Sequence, residues 1–183
     1  MRQCSRMTPE RDKAGTVPGR PELMANGSIK RLLRDDPKAT AAQDAFARFV
    51  AHDLASRLMP LGFRKGSGNG FIRPDDRCWF LVGVQRSRSS TDAKVLFTIN
   101  VTATSKDVWE TVRAEEPWLP RRPSANTFVG SPIKQWRIGD LLPMREDRWW
   151  EVRPTTNTAG LADEIAAIVA RTVVPAMEAA RDS

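Results

Sequence analysis

Two long strand-like runs, at residues 77–86 and 93–103, constrain the fold of this chain more than any other feature. Their sequences are RCWFLVGVQR and AKVLFTINVTA, and a short polar segment separates them, as in a β-hairpin. Side chains alternate between the two faces of a strand, so each run divides into two sets. One purely apolar set comes from each run: Phe80, Val82 and Val84 from the first, and Val95, Phe97, Ile99 and Val101 from the second.

The opposite face of this predicted hairpin carries polar groups. It holds Trp79, Gly83, Gln85, Ser87, Thr98, Asn100 and Thr102. A one-residue slip of the register would bury polar groups against both layers, which costs free energy. We therefore expect the apolar face to pack on helices and the amides to line the reverse face. A ligand or a partner's backbone could approach Gly83 closely; alternatively, Gln85 and Asn100 only bond each other.

Periodic apolar residues predict helices at both ends of the chain. The spacing between Phe46 and Leu61 indicates an amphipathic helix over roughly residues 40–60, ended by Pro60 and Gly62. A second apolar stripe runs from Leu161 to Met177, and Pro175 should kink that helix or start a new turn.

Shorter elements fill the middle of the chain. A glycine-rich turn joins two short strands in GFRKGSGNGFIRPDDR, a short helix is predicted over residues 105–116, and strands are predicted over 133–142 and 148–152. The order predicts an α+β fold, with an antiparallel sheet of about five to six strands packed against an N-terminal and a C-terminal helix.

The first 35 residues differ in composition from the rest. They hold eight Lys/Arg and four Asp/Glu without hydrophobic periodicity, whereas residues 36–183 hold 21 and 18. We expect a disordered basic tail over 1–35, in which Met24 is an alternative start, and a single α+β domain over 36–183. Weak, salt-sensitive nucleic-acid binding by this tail is one functional hypothesis, and deletion of residues 1–35 would abolish it.

Neither membrane nor secretory signals are recognisable in the sequence. No apolar run approaches the roughly 20 residues that span a bilayer, and the first twenty residues lack a secretory h-region. We therefore expect a cytoplasmic protein without a membrane partner. Cys4 and Cys78 lie in different settings, which argues against a structural disulfide.

Groups for catalysis are scarce. His52 is the one histidine and lies off the apolar stripe of its helix, and one histidine with two distant cysteines makes no zinc site. We therefore predict no cofactor, no metal and no catalytic residue. An acidic cluster could do acid–base work or hold Mg²⁺ if the fold gathers it, and is otherwise surface charge; its members are Asp140, Glu146, Asp147 and Glu151.

The adjacent Trp149 and Trp150 should point to opposite faces of a strand. An outward indole beside Arg137 would make a stacking or cation–π platform. Arg137 and Arg148 could also meet a carboxylate or phosphate. Alternatively, the helices cover both indoles, because large aromatic side chains dominate small cores.

Several short motifs follow one another in a recognisable order. They are Leu61-Gly62-Phe63, Phe71, Gln85-Arg86-Ser87, Phe97-Thr98-Ile99-Asn100, Arg137-Ile138-Gly139 and Asp147-Arg148-Trp149-Trp150, with Pro175 in the last helix. Over roughly residues 41–176 this pattern resembles the family called domain of unknown function 4304. The resemblance implies a compact, mostly bacterial single domain and brings no activity, cofactor or catalytic residue with it. The Pro-rich segment 117–132 lies outside the pattern or varies from it.

The preferred functional hypothesis is a non-enzymatic binding module for a protein segment or a small polar ligand. Its candidate binding residues are Gln85, Ser87, Asn100, Arg137, Trp149 and Trp150. The alternative is a small hydrolase or transferase, metal-independent or Mg-dependent, built on Asp147, Glu151 and Arg137. Oligomeric state stays open, since an uncovered edge strand could pair with its twin.

Overall fold

The N-terminal helix is built from several consecutive segments. A computed structural model describes residues 40–181, so the predicted tail over 1–35 lies outside the described residues. Helix α1 (Ala41–Arg48) runs into a π-helical segment (Phe49–Leu54), then α2 (Ala55–Leu58) and a 3-10 turn (Met59–Leu61). Thr40 caps the start through a capping box with Gln43. Gly62 ends the helix in the left-handed conformation, with φ of 86°.

A six-stranded antiparallel sheet lies within residues 40–181. Its strands are β1 (Arg64–Lys65), β2 (Gly70–Arg73), β3 (Cys78–Arg86), β4 (Val95–Ser105), β5 (Lys134–Arg137) and β6 (Trp150–Val152). They follow the order β1-β2-β3-β4-β5, and β6 also pairs with β4. Strand β3 occupies one edge of β4. The other edge of β4 is therefore shared by β5 and β6, which lie end to end. The predicted α+β architecture is confirmed.

The register of the central hairpin is the segregated one. Val82 lies opposite Val101 and Gly83 opposite Asn100, and residues directly opposite in an antiparallel pair share a face. Phe80 and Phe97 are both buried in one core cluster. The apolar residues of both strands therefore project to one layer, as the alternation predicts.

Helices from both ends of the described chain cover this apolar face. The C-terminal helix comprises α4 (Thr158–Ile168), a π-helical segment (Val169–Val173) and α5 (Val174–Arg181), so Pro175 stands in the first turn of a new segment. Phe97 lies at the centre of the packing, with its ring centroid 5.4 Å from those of Phe46 and Phe49. None of the helices within residues 40–181 has the length and apolar character that crossing a membrane requires.

A second, smaller apolar cluster covers part of the reverse face. Helix α3 (Lys106–Glu115) begins at Ser105, whose Oγ accepts from the Val108 N–H at 3.1 Å. Trp109 and Val112 of this helix pack with Leu119 and Ile133, and Trp79 of β3 joins them. The Pro-rich segment therefore folds back over the sheet.

One predicted strand is shorter than expected. The strand predicted over residues 133–142 ends at Arg137, and a 3-10 turn (Ile138–Leu141) follows. The Asp140 carboxylate accepts from the Arg137 N–H at 2.9 Å and stabilises this turn. A Cβ at Gly139 would lie 2.1 Å from the Glu146 carbonyl oxygen, so the chain packs there only because residue 139 is glycine.

Candidate functional site

Three amide side chains form a connected network on the reverse face of the sheet. Asn100 Nδ2 donates to Gln85 Oε1 at 2.8 Å and to Asn126 Oδ1 at 3.1 Å. Asn126 Nδ2 in turn donates to the Val84 carbonyl oxygen at 3.3 Å. The contact between Gln85 and Asn100 is the one expected under the alternative that these two amides bond each other. The third member comes from the Pro-rich segment and was missed.

Gly83 accommodates a close approach, and the approaching group belongs to the same chain. A Cβ at Gly83 would lie 2.5 Å from Asn126 Oδ1 and 3.1 Å from Ala125 Cβ. Real Cβ atoms essentially never come within 3.0 Å of a heavy atom outside their own residue and its chain neighbours. The chain's own loop fills the space for which the sequence suggested a ligand or a partner's backbone.

A cavity of about 440 Å³ opens beside the amide network. Gln85, Asn100 and Arg137 line it from the sheet, and Asp140 from the turn after β5. The remaining lining residues are Ala125, Asn126, Phe128, Gln135 and Trp136. Phe128 is 81% exposed, so its ring stands at the mouth of the cavity with little protein around it. We call this space the amide cavity.

Several hydrogen-bonding atoms of the amide cavity have no partner within residues 40–181. They are Gln85 Nε2, Asn100 Oδ1, one carboxylate oxygen of Asp140, and Arg137 Nε and Nη2. Donors and acceptors left without a protein partner bind water or a ligand. The lining is therefore able to donate and to accept hydrogen bonds from neighbouring positions.

Gln135 fixes the loop that forms the outer wall of the amide cavity. Its Oε1 accepts from the Val129 N–H at 2.8 Å, and its Nε2 donates to the Thr127 carbonyl at 2.8 Å and to Thr102 Oγ1 at 3.3 Å. The sequence analysis did not single out Gln135. Strand alternation in β5 places it on the same face as Arg137, and this was the available signal.

Arg137 and Trp149 form the platform that the sequence suggested. The guanidinium carbon lies 5.3 Å from the centroid of the Trp149 ring. Asp147 holds both groups, since Arg137 Nη1 donates to its two oxygens at 2.8 and 3.1 Å and Trp149 Nε1 donates at 2.8 Å. Trp149 is 37% exposed. It therefore offers part of its ring to solvent next to the amide cavity.

Trp150 belongs to the core and not to the candidate site. It is only 5% exposed and stacks on Phe97, with ring centroids 5.7 Å apart. Its Nε1 donates to Glu164 Oε1 at 3.0 Å, and the same oxygen accepts from Arg148 at 2.9 Å. For Trp150 the alternative that the helices cover the indole therefore holds.

Ser87 is also separate from the amide cavity. It stands where β3 enters the hairpin turn, and its Oγ accepts from the Ser89 N–H at 3.1 Å. Of the six candidate residues, the fold therefore brings three together around the cavity, Gln85, Asn100 and Arg137. Trp149 reaches this group through Arg137, and Ser87 and Trp150 serve the turn and the core.

The acidic cluster of the sequence is divided by the fold. Asp140 and Asp147 both contact Arg137, whereas Glu151 pairs with Lys94 at 3.0 Å and with Arg153. The hydrogen bond from Lys94 holds the pKa of Glu151 below its ordinary value. The trio proposed for an enzyme, Asp147, Glu151 and Arg137, is thus not assembled. Within residues 40–181 no three His, Cys, Asp or Glu side chains are grouped closely enough to hold a metal ion.

The comparison with protein families identifies the chain. The family described as "Domain of unknown function (DUF4304)" matches residues 54–179, and the chain belongs to this family. The matched region begins inside the N-terminal helix and contains every residue that lines the amide cavity. Neither a curated protein nor a solved structure matches the chain. Family membership brings no activity with it, so the geometry of the site has to carry the functional argument.

Proposed function

We propose that this DUF4304 domain is a non-enzymatic binding domain that holds a small polar ligand in the amide cavity. One observation carries the proposal: Gln85, Asn100 and Arg137 line a single space of about 440 Å³ and keep hydrogen-bonding atoms without partners in the described part of the chain. That volume falls in the range of about 300 to 1,000 Å³ that is usual for small-molecule sites.

The open atoms favour a planar ligand edge with a donor beside an acceptor. Gln85 Nε2 can donate to a carbonyl oxygen, while Asn100 Oδ1 can accept from an N–H. A carboxamide presents both groups in one plane. Phe128 supplies ring surface beside these amides. An aromatic or heteroaromatic carboxamide therefore satisfies more of the lining than a purely apolar ligand would.

The charges around the cavity favour a neutral ligand. Arg137 is already paired with Asp147, and Asp140 stands on the same wall. The positive charge is thus compensated before any ligand enters, and a dianion would meet the Asp140 carboxylate. Because Glu151 pairs with Lys94, the hydrolase or transferase alternative lacks one of the two carboxylates on which it was built. These points support binding without chemistry.

The proposal is tested by two-dimensional NMR titration of the full chain with benzamide. Benzamide carries the ring and the carboxamide that the cavity calls for, while acetophenone keeps the ring and carbonyl but lacks the N–H. We expect benzamide to shift the side-chain amide signals of Gln85 and Asn100, with a dissociation constant on the order of 1 mM, and acetophenone to bind more weakly. Equal shifts with both compounds, or none with either, would contradict the proposal.

A second probe separates a small ligand from a protein segment. A capped Gly-Phe-Gly peptide offers backbone amides and one aromatic side chain, as an exposed chain segment would. We expect it to bind less tightly than benzamide, because ordering its backbone costs conformational entropy. Clearly tighter binding of the peptide would replace the small ligand by a protein segment as the occupant.

A further inference from the structure

A second cavity, of about 340 Å³, lies on the other side of Asn126. The glycine-rich turn between β1 and β2 forms one wall, and the loop from Arg122 to Asn126 forms the other. Ile72, Trp79 and Leu81 line it from the sheet. Because Ala125 and Asn126 line both spaces, they form the wall between this cavity and the amide cavity. We call this second space the glycine cavity.

The two cavities differ in their chemistry. The amide cavity is lined by amides and by a paired arginine, whereas the glycine cavity has an apolar floor with backbone around it. The exposed Gly66 and Gly68 leave backbone atoms uncovered along its edge. An apolar lining with a small number of polar groups is the usual composition of a small-molecule site.

Positive charge dominates around the glycine cavity. Among its described lining residues, Arg122 is the one charged side chain, and its guanidinium has no hydrogen-bond or ion-pair partner in the region from 40 to 181. The Lys106 ammonium lies 5.3 Å from the centroid of the Trp79 ring and adds a second positive charge beside the floor. An unpaired guanidinium beside an apolar surface is suited to a carboxylate, which it can bind through two parallel hydrogen bonds.

The acidic residues near this end of the sheet line a different space. Asp75 and Asp76 border an adjoining cavity, to which Arg122 and Lys106 also contribute. Asp75 is engaged by the Arg181 guanidinium at 2.5 Å and by the N–H groups of Arg77 and Cys78. A ligand in the glycine cavity therefore meets one cationic group, Arg122, and no carboxylate among the described lining residues.

We infer that the glycine cavity binds a small, flat monoanion of the aromatic carboxylate class. The ring would rest on Trp79 and Leu81, and the carboxylate would pair with Arg122. The volume admits a ligand of one or two fused rings and excludes a much larger one. One unpaired arginine balances one negative charge, so a monocarboxylate fits the lining better than a polyphosphate.

The inference is tested by NMR titration of the full chain with 2-naphthoate, using 2-naphthylmethanol as the uncharged match. Gly66, Gly68, Gly70 and Gly83 line the cavity, and their amide signals report on it directly. We expect 2-naphthoate to shift these signals at concentrations that leave the amides of Gln85 and Asn100 unmoved. The alcohol should bind about tenfold more weakly, because it lacks the charge that pairs with Arg122.

Matched arginine variants supply the control. Arg122→Gln should weaken 2-naphthoate binding about tenfold and leave binding of the alcohol unchanged. Arg121→Gln removes the neighbouring exposed charge, which does not line the cavity, and should change neither. Equal losses in the two variants would reduce the effect to general charge attraction and overturn the inference. Failure of 2-naphthoate to shift the glycine amides would overturn it as well, whatever benzamide does in the amide cavity.

Discussion

Asn126 lies so close over Gly83 that its Oδ1 would stand 2.5 Å from a Cβ at that position. The contact joins the Pro-rich segment to the centre of the sheet. From this position Asn126 accepts from Asn100 and donates to the Val84 carbonyl, and it separates the two cavities of the reverse face. Asn126 can thus occupy this position only because Gly83 has no side chain.

Substitution of Gly83 tests this relationship. In Gly83→Ala the added methyl group would displace Asn126 and break its bonds to Asn100 and Val84, so we expect a loss of about 1 to 3 kcal/mol in the free energy of unfolding. Urea denaturation followed by tryptophan fluorescence measures the loss. In the background of Asn126→Gly, which removes the obstructing side chain, Gly83→Ala should cost much less. Additive costs in the double variant would contradict the proposed contact.

The two amides of the sheet should respond differently to substitution. Asn100 donates to both Gln85 and Asn126, whereas Gln85 accepts one bond. We therefore expect Asn100→Ala to lower the free energy of unfolding by about 1 to 2 kcal/mol and Gln85→Ala by about 0.5 to 1 kcal/mol. Both substitutions should abolish the NMR signal shifts that benzamide induces at the amide cavity. A Gln85→Ala variant that binds benzamide normally would remove that residue from the site.

The sequence carries the register of the hairpin but not the position of the loop that covers it. Strand alternation suffices to put Phe80 and Phe97 on one face and Gln85 and Asn100 on the other, because a slip would bury polar groups. The Pro-rich segment has no such period, and its path depends on tertiary contacts made by Trp109 and Gln135. Asn126 was therefore missed, and the sequence indicated only that Gln85 and Asn100 line the reverse face.

Local chemistry also explains where a predicted strand was too long. The prediction extended the strand through residues 138–142, yet the Asp140 carboxylate accepts from the Arg137 N–H and turns the chain. Side chains of Asp that bond nearby backbone groups compete with strand pairing in this way. The same turn brings Asp140 to the amide cavity. Spacing alone does not tell which acidic residues of the cluster meet Arg137.

Removal of the Arg137 guanidinium should affect binding more than stability. Arg137 and Asp147 are 39% and 50% exposed, so solvent screens their ion pair, and Arg137→Ala should cost about 0.5 kcal/mol or less in unfolding. The same change removes two open donors from the amide cavity and frees Trp149, so we expect benzamide to bind severalfold more weakly. Arg148→Ala is the control, since Arg148 contacts Trp150 and Glu164 instead. Equal losses of benzamide binding in both variants would count against a specific role for Arg137.

Asp75 should make the fold sensitive to acid. Burial raises the pKa of this carboxyl, but the N–H groups of Arg77 and Cys78 and the Arg181 guanidinium outweigh that effect, so its pKa lies below the ordinary value. The stabilisation that the ionised Asp75 gives the fold is therefore fully present above the unfolded-state pKa of about 4, and is lost as the pH falls through the lower folded-state pKa.

Asp75→Asn should consequently lower the free energy of unfolding at pH 7 by about 1 kcal/mol, and the gap in the free energy of unfolding between the variant and the wild type should close on acidification. Urea denaturation of both proteins between pH 7 and pH 2 measures the gap, with Asp92→Asn in the hairpin turn as an exposed control. A gap that stays constant down to pH 2 would show that Asp75 acts through hydrogen bonds that do not depend on its charge.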